Sequence, residues 1–70
     1  MTNTELLEKI IKESGYKKSY LAKAIGLKST FGLSRKIRNE SEFTASEIDI
    51  LCYLLKIDSL EERHAIFFAG

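Results

Sequence analysis

Residues 17–39 read KKSYLAKAIGLKSTFGLSRKIRN, and the organisation of the whole chain follows from this stretch. It carries seven Lys or Arg (Lys17, Lys18, Lys23, Lys28, Arg35, Lys36, Arg38) and no Asp or Glu. Residues 1–16 have a net charge of −1 and residues 40–70 of −5, so a chain with an overall charge of +1 gathers +7 in one segment. Cations at that density, with no acid in the same stretch, make a surface suited to a polyanion. A solvated charged face usually mixes signs, which is the bland account of any single lysine here. The stretch also divides into two short amphipathic segments. Leu21, Ala22 and Ile25 mark the inner face of a helix over about Lys18–Ile25. Gly26 follows, a residue that leaves a helix through positive φ without steric cost, and Leu27 turns back into the core. A second helix opens at Ser29 or Thr30, both good caps, and turns Leu33 and Ile37 inward. Gly32 in its first turn blurs where it begins.

Outward from this stretch, the pattern stays helical. Leu6, Leu7, Ile10 and Ile11 fall on one helix face, giving a helix over Thr4–Ser14 with Thr2 or Asn3 as cap, Glu5 placed for a capping box, and Gly15 as stop. After Asn39, Thr44-x-x-Glu47 is a capping box, with Phe43 and Ile48 set as its hydrophobic staple. It starts a helix to about Lys56 that presents Ile48, Leu51, Leu54 and Leu55. Ser59-x-x-Glu62 starts another, with Leu60, Ile66 and Phe67 as apolar anchors. The expectation is one all-α domain of five helices over residues 1–70.

Composition agrees. The chain is 44 % hydrophobic, 30 % charged and free of proline, which suits a small helical domain near the lower limit for a self-supporting core. The single Cys52 cannot form an internal disulfide and reads as a packed thiol. No apolar run is long enough to span a bilayer and the N-terminus lacks a signal-peptide core, so a cytoplasmic protein is expected. His64, the only histidine, has no neighbouring Cys or His to share a metal with. No nucleophile–base spacing or phosphate loop stands out, so neither an enzyme nor a cofactor is expected. Glu40, Glu42, Glu61 and Glu62 read as solubility and helix-capping charges.

The run Leu21-Ala22-x-x-Ile25-Gly26-Leu27 between two short helices resembles the helix-turn-helix of the Cro and phage-repressor (Xre-like) family. Residues 33–57 look like the recognition-helix end and fourth helix of its small phage-type members. The chain departs from the pattern by one extra residue between Leu27 and Leu33. Asn39 stands where a glycine usually follows the recognition helix, and would take the left-handed conformation there.

The resemblance implies a five-helix lambda-repressor-like DNA-binding domain with its helix-turn-helix at the second and third helices. It implies a sequence-specific regulator of transcription that binds double-stranded DNA, a Cro-like repressor of phage or prophage origin. The third helix would enter the major groove. Groove-facing positions are then Thr30, Phe31, Ser34, Arg35 and Arg38, with Arg35 able to bond guanine O6 and N7, and Thr30 or Phe31 to touch a thymine methyl. Phe31 has a second reading, as a core residue filling the slot left by the extra residue. Lys17, Lys18, Lys28, Ser29, Lys36 and Asn39 are the candidate phosphate contacts, and about six neutralised phosphates would give a log–log salt slope of roughly −5.

Family members act as two-fold dimers, and Phe67 and Phe68 are candidates for that interface. Alternatively, Phe67 packs inside and Phe68 covers an edge. A rival function of a different class is a protein-interaction module, such as an antitoxin that neutralises a partner protein through the acidic, apolar C-terminal third.

Overall fold

A computed structural model describes all residues 1–70 and contains five helices and no strands. They are α1 (Thr4–Ser14), α2 (Lys18–Ala24), α3 (Thr30–Ile37), α4 (Ala45–Leu54) and α5 (Leu60–Phe67). No helix is long and apolar enough to cross a membrane. Side-chain oxygens cap four of them: Asn3 accepts from Leu6 N–H, Ser29 from Gly32, Thr44 from Glu47 and Ser59 from Glu62. The capping box at Thr44 and Glu47 forms in full. At α1 the cap is Asn3 and not Thr2, so Glu5 falls one position short of the box expected of it.

Three helices end alike. The N–H of Gly26 returns to Lys23 O and that of Leu27 to Ala22 O; Asn39 and Glu40 return to Lys36 and Arg35; Lys56 and Ile57 return to Tyr53 and Cys52. This is the paired bonding of a Schellman motif, with a left-handed residue at its pivot: Gly26 (φ 89°), Asn39 (φ 67°) and Lys56 (φ 57°). Asn39 thus takes the conformation expected of it. Lys56 in that position carries a Cβ penalty of about 1 kcal/mol. Lys56→Gly should raise the thermal midpoint by about 4–8 °C, read by circular dichroism.

The core joins all five helices through Leu7, Leu21, Leu33, Ile37, Leu51 and Ile66, each fully buried, with Ile11, Ile25, Ile48, Leu55 and Phe67 around them. Cys52 packs in the same cluster as a free thiol, and burial pushes its pKa up. Ile57, which the periodicity does not single out, is also buried because it follows the Lys56 pivot and folds back as the apolar end of that motif. Leu60 is 79 % exposed and anchors nothing. It shares a helix face with Phe67 but stands seven residues earlier, about 10 Å along the axis and past the edge of the core.

The N-terminal residues stitch the bundle together. Asn3 N–H donates to Ile66 O at 2.7 Å, tying the chain start to α5. Thr4 Oγ1 donates to Ile37 O at 2.6 Å, at the end of α3. The Asn39 side chain completes the seam: Thr2 N–H donates to its Oδ1 (2.8 Å), and its Nδ2 donates to Thr2 O (2.9 Å).

Candidate nucleic-acid interface

The α2–turn–α3 unit is built by its own sequence. Gly26 reverses the chain, Leu27 packs against the core, and Ser29 caps α3 so that its first residue is Thr30. That start fixes the register. Leu33 and Ile37 turn inward with no exposed surface. Phe31, Ser34, Arg35 and Arg38 are spaced i, i+3, i+4 and i+7, which puts them on one stripe of the opposite face. Thr30, Phe31, Arg35 and Arg38 are exposed and Ser34 is half-buried. The five residues expected to face a groove therefore lie on the solvent side of one helix. Phe31 does not fill a core slot: it is 64 % exposed, with the Arg35 guanidinium 5.9 Å from its ring centre.

The predicted phosphate contacts divide. Lys17, Lys28 and Ser29 are exposed, and neither lysine has an ion-pair partner. Lys18 is held by Glu8 of α1 at 2.8 Å, a half-exposed pair that a stronger anion can displace.

Two assignments are corrected. Lys36 reaches inward: its Nζ donates to Glu47 Oε1 at 2.7 Å and to Glu42 O at 2.9 Å, and the two charged side chains keep only 13 % and 11 % of their surface. Asn39 spends its amide on Thr2. Neither is free to meet a phosphate. Glu47 shows the electrostatic cost and its repayment. Burial alone would raise its pKa, but the hydrogen bonds and charge of Lys36, with those from Thr44, outweigh it and hold the carboxyl below the ordinary range.

Lys23 had no role assigned from the sequence. It is exposed on α2, unpaired, and lines a groove of about 460 Å³ with Ser19, Leu27, Lys28, Ser29 and Thr30. Its spacing shows the connection: Ser19 and Lys23 are four apart on α2, the side that meets the start of α3. Two unpaired lysines, Lys23 and Lys28, thus lie in the groove at the start of α3, and a third, Lys17, stands at the start of α2.

The segment's own lack of acids does not leave all of its cations unpaired: four of the seven find a partner outside it. Glu8, Glu47 and Glu40 reach in from elsewhere, and Glu40 takes both Arg38 (2.9 Å) and Arg35 (3.7 Å). It is more than the solubility charge it resembles in sequence.

At the other end of the domain, Phe67 is 4 % exposed and meets Phe43 edge-on at 5.5 Å. It is a core residue and not an interface residue. Phe68 is 51 % exposed and, with the exposed Met1, borders a groove of about 170 Å³. No group of three or more His, Cys, Asp or Glu is placed to hold a metal ion. No protein-family model, curated protein or solved structure gives a match to this chain.

Proposed function

We propose that this domain binds duplex DNA through α2 and α3 and regulates transcription in the cytoplasm as a Cro-like repressor of phage type. The observation that carries the reading is the solvent-facing stripe Phe31–Ser34–Arg35–Arg38, with the unpaired Lys23 and Lys28 at the start of its helix and the unpaired Lys17 at the start of α2. An α-helix fits the width of the major groove, arginine reads guanine there, and flanking lysines hold phosphate without regard to sequence. Repression by occupancy needs no chemistry beyond binding. The resemblance of residues 21–27 to the phage-repressor helix-turn-helix points the same way. A second copy would give two half-sites, with Phe68 and Met1 the exposed apolar residues available to join them.

Fluorescence anisotropy with a random-sequence duplex at about 50 and 200 mM salt tests the reading. With Lys36 and Asn39 withdrawn, three unpaired lysines give an expected salt slope of about −3 for non-specific binding. Arg35→Ala should relax discrimination at one base pair of a selected site by about 1–3 kcal/mol. An unchanged preference after that substitution rejects Arg35 as a base reader.

The second reading, a module that neutralises a partner protein, rests on Tyr53 (84 % exposed), Leu60 (79 %) and Phe68 in the acidic C-terminal third. A stoichiometric partner protein on purification, with no duplex binding at the lower salt, would favour it.

A further inference from the structure

At two of the three Schellman ends, the residue after the pivot is apolar: Leu27 beyond Gly26 and Ile57 beyond Lys56. Each returns a backbone bond to a buried apolar residue, Ala22 or Cys52, so hydrophobic contact closes the motif as it usually does. At the end of α3 the equivalent residue is Glu40, and the residue it returns to is Arg35. An ion pair stands where the apolar contact would be. Glu40 Oε1 lies 3.7 Å from Arg35 Nε, while Oε2 accepts from Arg38 Nε at 2.9 Å. The backbone bond of Glu40 N–H to Arg35 O (2.8 Å) holds the carboxylate in reach of both. One acid, fixed by the helix end itself, occupies the two arginines of the exposed α3 stripe.

We propose that Glu40 is a specificity-determining residue, an internal competitor that keeps Arg35 and Arg38 off non-specific DNA. The inference rests on the DNA-binding reading above. The free lysines meet any phosphate backbone at no cost, whereas each arginine must first leave Glu40. A lone phosphate offers little over the carboxylate it replaces. A guanine edge that accepts two hydrogen bonds in a dry groove offers more, so the arginines transfer only where the base sequence supplies it. Glu40 thereby lowers affinity for the wrong sequences more than for the right one.

The test is a charge-matched pair of substitutions measured by anisotropy on a random-sequence duplex between about 50 and 200 mM salt. Glu40→Gln frees both arginines. Glu42→Gln removes the same charge two residues away, from a side chain that holds no cation. Glu40 is about half exposed and its structural bond is through the backbone, so the variant should fold, as circular dichroism will show.

Glu40→Gln is expected to bind about 5- to 10-fold tighter than the parent, with a salt slope steeper by about 2 as two more cations reach phosphate. Glu42→Gln should change affinity less than about 2-fold and leave the slope alone. Equal effects of the two substitutions, or none from Glu40→Gln while the parent binds, overturn the role of Glu40 and leave the DNA reading standing. If neither the parent nor Glu40→Gln binds duplex at the lower salt, the DNA reading falls and this inference with it.

Discussion

Glu47→Ala should cost about 3 kcal/mol and lower the thermal midpoint by about 10–20 °C. For a chain of 70 residues, whose whole stability is on the order of 4–10 kcal/mol, that is a large fraction. One carboxylate oxygen does two jobs, accepting from Thr44 N–H at 2.9 Å to complete the cap of α4 and from Lys36 Nζ at 2.7 Å to bind α3 to it. Alanine removes both and leaves the Lys36 ammonium mostly buried without its counter-charge, which is what makes broken buried pairs expensive.

Acidity should show the same dependence. The folded state holds Glu47 below its ordinary pKa, so in that interval the unfolded chain binds more protons and stability rises with pH. The contribution is complete above the ordinary carboxylate range and is lost as pH falls through the folded value. Denaturant midpoints measured down the acid limb should fall less steeply in Glu47→Gln than in the parent. Parallel limbs would mean that the pair contributes nothing to acid sensitivity.

Asn39→Ala is expected to cost about 2–3 kcal/mol, from two sources that a second substitution separates. Alanine at φ 67° is strained by about 1 kcal/mol, and both hydrogen bonds to the Thr2 backbone disappear. Asn39→Gly keeps the left-handed turn without strain and loses only the amide, so it should cost about 1–2 kcal/mol. Urea midpoints for the two variants give the comparison. A glycine variant as stable as the parent would show that the seam to Thr2 adds nothing.

Helix starts and stops were legible because their causes are local. Asn3, Ser29, Thr44 and Ser59 each satisfy an amide within three residues, and Gly15 and Gly26 reverse the chain by themselves. Leu33 and Ile37 set the exposed face of α3 by spacing alone. What escaped the sequence depends on partners far along the chain. Lys36 finds Glu47 eleven residues on, and Asn39 finds Thr2 thirty-seven back, so a segment without acids proved to be paired in part from outside. Phe67 and Phe68 are chemically identical neighbours, and which of them is buried depends on how α5 seats against the core, where Phe67 meets Phe43. Ile57 was hidden because a lysine, not a glycine, makes the turn before it.

The buried thiol on α4 has a practical consequence. Cys52 is the chain's one cysteine, and it sits in the core cluster with its ionisation suppressed. A thiol-specific reagent should react slowly with the closed molecule and faster when α4 parts from its neighbours, because burial restricts access to the thiol and raises its pKa. The rate of labelling is therefore a clock on breathing, supplied by the native sequence with no added dye or engineered site. It would rank the Glu47 and Asn39 variants in buffer alone, and a bound duplex that tightens the domain should slow it.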